Sequence, residues 1–183
     1  MLWISCVLLC VLPSCGNDDP CGCRNDTGNL VFRRDDGSPI SFPADAQTFI
    51  WCGQWEPGSV PEPALQVVHG SGAVDTPYWS LKVVLADATV GDTLFIPNSF
   101  VWNLPDSLDF FLLDPPNELS SQQPESSGFL VLLQLGCDVG QKVEFVIDAV
   151  LGSEIGGLPA VAVQGRFLGT VMEAPRGKDQ AGT

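Results

Sequence analysis

The sequence predicts an all-β fold, a single antiparallel β-sandwich preceded by a signal peptide and a short tether. Three observations carry this. Short runs rich in β-branched and aromatic residues recur between residues 29 and 171, separated by turn residues. No long window shows the 3.6-residue apolar period of a helix. Residues 2–13, LWISCVLLCVLP, carry no charge and fall short of the ~20 apolar residues that a spanning helix needs, so they match the apolar core of an export signal.

Composition sets the outer limits. The 183 residues are 45% hydrophobic and only 16% charged, which excludes wholesale disorder and leaves enough chain for one domain with a real core. Glycine (19) and proline (15) are abundant, as a fold with many turns requires. Eight Lys+Arg against 22 Asp+Glu give a net charge of −14. That charge excludes nucleic acid as a partner, because phosphates need basic groups, and it opposes docking to anionic lipid.

The apolar run ends in Leu12-Pro13-Ser14-Cys15. A Leu three residues before a Cys, with a small residue between, resembles the lipobox of bacterial lipoproteins. The resemblance covers only the first residues of the chain. It implies cleavage between Ser14 and Cys15, lipidation of Cys15, and anchoring on the extracytoplasmic side of a bacterial membrane in the cell envelope. The competing reading is an ordinary secretory signal cut at Cys15-Gly16. Two or more acyl chains hold a protein on a bilayer without further contacts, at about 0.8 kcal/mol per buried CH₂. The acidic stretch 15–26 then serves as a solvated tether to a domain over 27–172, with a disordered tail over 173–183.

With Cys6 and Cys10 in the signal and Cys15 lipidated, Cys21, Cys23, Cys52 and Cys137 remain as disulfide candidates in an oxidising compartment. Cys21 and Cys23 stand too close for an unstrained mutual bridge. Two cross-pairings to Cys52 and Cys137 stay open, as does a single Cys52–Cys137 bridge within the domain. Zinc is disfavoured: there is one Cys-x-Cys, and His69 is the only histidine.

The expected strands run over 29–33, 47–55, 64–69, 78–85, 93–97, 109–114, 128–135, 142–151 and 159–171, with a helical turn conceivable within 98–108. The connectors RDDGSP, EPGSVPEP, GSGAVDTP, DATVGD and DPPNELSSQQPESSG are turn-like. Alternation is clearest in the last two strands. Val143, Phe145, Ile147 and Ala149 share one face and Lys142, Glu144 and Asp148 the other. Val161, Val163 and Phe167 oppose Gln164 and Arg166. One register that matches these faces sets Phe145 opposite Gly165 and Glu144 opposite Arg166. In 78–85, Trp79, Leu81, Val83 and Leu85 point inward, Ser80 and Lys82 outward. This closing pattern, a Gly-led strand, a second strand, a Gly-rich turn and a last strand ending in Gly-x-Phe, resembles the C-terminal hairpin of small bacterial envelope lipoproteins. The resemblance implies a β-sandwich and no activity.

Chemistry is sparse. His69, in VVHGSG, is the one residue a Ser–His–acid triad could use, but no G-x-S-x-G elbow accompanies it, and the stretch reads more simply as a strand end. Asp106, Asp109, Asp114 and Glu118 are the carboxylates that a hydrolase of the glycosidase type would pair. The oxygen-rich loops GNDDPCGCRNDTGN and DPPNE suit calcium or, more simply, solvent; no metal ligand and no resident cofactor is assigned. Trp51 and Trp79 fall in phase with core positions, whereas Trp55 and Trp102 lie beside turns and are the candidate ligand-binding residues for a glycan or protein partner. The sequence therefore predicts a non-catalytic binding or structural module at a membrane surface. An exported hydrolase using Asp or Glu is the alternative.

Overall fold

The computed structural model describes residues 29–55, 62–73, 75–86, 88–96, 108–123, 125–153 and 160–174. Cys15, Cys21, Cys23, Trp102, Asp106, the signal, the tether, most of the tail and the turn considered within 98–108 lie outside them, as does the side chain of Trp55.

The described chain is all-β, with ten strands: β1 Asn29–Arg34, β2 Gln47–Trp55, β3 Glu62–Gly70, β4 Tyr78–Val84, β5 Thr93–Ile96, β6 Leu108–Asp114, β7 Asn117–Ser120, β8 Ser127–Leu135, β9 Lys142–Ser153 and β10 Val161–Thr170. Nine correspond to the expected runs. The tenth, β7, sits inside a stretch that reads as connector. Its four residues return from Pro115-Pro116 and pair Leu119 with Leu112, a contact that buries both leucines.

All pairings are antiparallel, in the order β1-β10-β9-β7-β6-β4-β3-β2, with β8 also beside β9 and β5 beside β8. One strand, β9, joins the two flanks of this curled sheet. Val143–Val150 run beside β8, whereas Gly152 and Ser153 run beside β7. On its other edge β9 stays with β10 from Lys142 to Leu151. The flanks face each other across one core. Trp79 of β4 meets Phe167 of β10 edge-on at 5.7 Å and stacks on Phe110 at 5.5 Å. The expected inward residues Val143, Phe145, Ile147, Val161, Val163 and Phe167 are all buried there, and their burial supplies the main drive to fold.

The last hairpin corrects the expected register by two residues. Phe145 pairs with Phe167 and Gly165 with Ile147. Odd positions still face odd ones, so the buried face is kept. Ring packing favours the observed register, since Phe145 and Phe167 stack with centroids 4.8 Å apart. Arg166 still bonds Glu144, now along the diagonal.

Where β9 changes neighbour, buried serines bond backbone groups of β9, β7 and β6. The Ser126 hydroxyl donates to the Ser120 carbonyl (2.6 Å) and accepts from the Gly152 N–H (2.7 Å). The Ser121 hydroxyl accepts from the Phe110 N–H at 2.8 Å. Buried backbone groups left without such bonds are costly.

Candidate functional site

Cys52 and Cys137 are joined, with an S–S distance of 2.02 Å and Cα atoms 5.4 Å apart, across 85 residues of sequence. Of the pairings the sequence leaves open, this is the one internal to the domain. Cys52 lies half-buried on β2 against the core, and Cys137 is exposed in the turn between β8 and β9. The bond therefore ties the outer strand of one flank to the other flank. Two further contacts close the same seam. The Met172 N–H donates to the Ile50 carbonyl at 2.8 Å, and Ile50 packs so tightly on Gly169 that a Cβ there would come within 2.1 Å of its Cδ1.

This seam decides which way β2 faces. Ile50 and Cys52 point to the core, so Trp51 points outward. Trp79 is in the core at 3% exposure, as expected, but Trp51 is not: it is half-buried on the outer surface beside Gly53. There it begins a row. Register sets Trp51 opposite Gln66, Gln66 opposite Lys82, and Lys82 opposite Asp109. An indole, an amide, an ammonium and a carboxylate thus lie side by side across four strands, with Lys82 Nζ 3.8 Å from Asp109 Oδ2. The adjacent row runs Phe49, Val68, Ser80, Phe111, and Tyr78 packs on Phe111 at 5.7 Å. Stacking surface beside fixed polar groups is the chemistry that orients a small ligand. Period-two alternation contained this row. Finding it required knowing which face of β2 is inward and which strands are neighbours.

His69 sits elsewhere, on the core side at the end of β3. Thr48 Oγ1 lies 2.9 Å from its Nδ1, a hydrogen bond whose direction follows the ring tautomer. Phe42 meets the imidazole edge-on at 5.1 Å and Trp79 stacks on it at 5.8 Å. Burial holds its pKa below the ordinary histidine value. The ring is packed as a core aromatic tied to Thr48, and among the described residues neither a serine nor a carboxylate forms the pair a triad needs.

Among the described residues, the candidate carboxylates Asp109, Asp114 and Glu118 do not converge. β6 turns Asp109 to the outer face and Asp114 to the inner one. Asp114, 4% exposed, accepts two bonds from the Arg34 guanidinium, from Nε at 2.6 Å and Nη2 at 2.7 Å. That ion pair ties β1 to β6, and no motif announces it. Glu118 is exposed on β7. Among the described residues no group of three His, Cys, Asp or Glu side chains could hold a metal ion.

No protein-family model, curated protein or solved structure matches this chain.

Proposed function

We propose that the chain is an exported cell-envelope protein, anchored in a bacterial membrane by a lipid on Cys15, whose β domain acts as a non-catalytic binding or structural module. The observation that carries this reading is the Cys52–Cys137 bond. Disulfides form and persist in oxidising compartments and are rare in the cytosol. The bond thus supports the export that the uncharged run 2–13 and Leu12-Pro13-Ser14-Cys15 imply. The Trp51–Gln66–Lys82–Asp109 row supports the binding role, offering a stacking surface and polar groups to a glycan or an extended peptide.

The test is the intact mass of the protein extracted from membranes. The expected mass lacks residues 1–14 and includes acyl chains on Cys15. An unlipidated chain, or one that starts elsewhere, sinks the anchor. Peptide mapping without reductant checks the compartment separately, because free thiols at Cys52 and Cys137 contradict export.

A further inference from the structure

On the outer face of β2 and β3, two hydrogen-bonding side chains close on one spot. A Cβ at Gly53 would lie 3.5 Å from the Trp51 indole nitrogen and 3.6 Å from the Gln66 side-chain amide. The missing side chain of Gly53 keeps that spot open. Trp51 and Gln66 are half-buried, and among the described residues neither side chain has a hydrogen-bond partner. Polar groups drawn partly out of water without partners are costly, so an occupant that bonds them is favoured. The indole N–H only donates, whereas the amide both donates and accepts.

The row that Trp51 and Gln66 begin selects the occupant's chemistry. Its only formal charges are Lys82 and Asp109, which are opposite and 3.8 Å apart, so the row is locally neutral on a chain of −14. A polyanion is repelled by the whole molecule. A polycation gains little from a row whose one acid already faces an ammonium. An apolar partner would strip water from Gln66, Lys82 and Asp109 and return no hydrogen bonds. An extended peptide takes its affinity from main-chain bonds at a sheet edge. Here β3 and β4 are interior strands, paired on both sides. The fitting occupant is neutral, with a flat CH surface for the indole and hydroxyls, which both donate and accept, for the polar groups.

We infer that this row binds a neutral β-linked oligosaccharide, with one pyranose ring stacked on Trp51 and a hydroxyl held over Gly53 by the indole N–H and the Gln66 amide. The inference rests on the reading of the β domain as a binding module and narrows it to one ligand class. Neighbouring strands lie about 4.8 Å apart, close to the repeat of such a chain, so a glycan crossing the strands meets Trp51, Gln66 and Lys82 in turn.

Calorimetric titration of the purified full-length chain with cellohexaose and chitohexaose tests this. At least one binds with a Kd below about 1 mM. Its affinity is the same at low and high salt, because no net charge is neutralised. Trp51→Ala weakens binding at least about tenfold. So does Gly53→Val, whose methyl groups fill the spot where the two side chains meet and whose β-branched side chain suits a strand. Leu168→Ala, exposed on the other flank, leaves binding unchanged. Thermal unfolding shows that the variants remain folded. Failure of both sugars to bind overturns the proposal. So does binding that Trp51→Ala and Gly53→Val leave intact, or that Leu168→Ala weakens as much. A neutral decapeptide separates this failure from failure of the underlying reading. If the decapeptide binds, is lost in Trp51→Ala, and both sugars fail, the glycan falls and the binding module stands. Silence toward sugars and peptide alike overturns the glycan and leaves only the structural role.

Discussion

A side chain at position 128 would run into the neighbouring strand β9. A Cβ there would lie 2.3 Å from the Asp148 carbonyl oxygen and 2.5 Å from the Ala149 Cα, at a φ of +125°. Gly140 also has a positive φ, +88°, but nothing lies within 4 Å of where its Cβ would be. Sequence shows two glycines near strand ends and gives no ground for ranking them; only the neighbour strand's position separates a close approach from a plain turn. His69 is similar. Its fate depended on Phe42, Trp79 and Thr48, which come from three other segments. None of those three side chains titrates near neutrality, so burial alone sets the direction of its shift. The folded pKa lies below the unfolded value of about 6.5. As pH falls, the unfolded chain binds the proton first. Stability from the neutral ring is therefore complete above about pH 6.5 and is lost as pH drops from there toward the folded value. Urea midpoints at about pH 7.5 and 5.5 should fall further for the native chain than for His69→Phe, which keeps the aromatic packing and cannot protonate. Equal falls in the two proteins would exclude His69 as the source.

Between elements, the apolar alternation of β4, β9 and β10 was legible because each buries one face and exposes the other. β2 was read with the right ends and the wrong inward tryptophan, because an edge strand with Phe49 and Trp51 outward and Ile50 and Cys52 inward is apolar on both faces. β7 was hidden because its short, serine-flanked run has the composition of a turn. Those serines hold the fold where β9 passes from one flank to the other. Ser126 is fully buried and bonds both Ser120 and Gly152. Replacing it with alanine leaves a buried N–H and a buried carbonyl without that partner, at a cost of about 1–3 kcal/mol. Chemical denaturation of Ser126→Ala should show this loss. Ser127→Ala, one residue along and half-buried, should lose under about 0.5 kcal/mol. Comparable losses in the two variants would mean the hydroxyl bonds at the crossover contribute nothing special.

For the whole molecule, the all-β class was legible, and the way the sheet curls was not, because curling depends on β9 changing partners and on a seam closed by residues far apart in sequence. That seam joins β2 to the β8–β9 turn by Cys52–Cys137 and to the end of β10 by Met172–Ile50. The two contacts should be coupled. Holding residues 85 apart restricts the unfolded chain, so the bond contributes about 2–4 kcal/mol to global stability. It also holds an outer strand that otherwise has β3 on one side and, among the described residues, a single backbone bond on the other. Strands held so lightly open locally below the global unfolding free energy. The Cys52→Ala, Cys137→Ala double variant should therefore do two things. Its denaturation midpoint should fall, since the remaining core, with Phe145, Phe167 and Trp79 in place, is still large enough to fold. Its Met172 amide should lose more protection from hydrogen exchange than the amides of β9 and β10 in the core. If Met172 and the core amides lose protection by the same factor, the bond acts on the unfolded chain alone, and the seam has no local stability of its own.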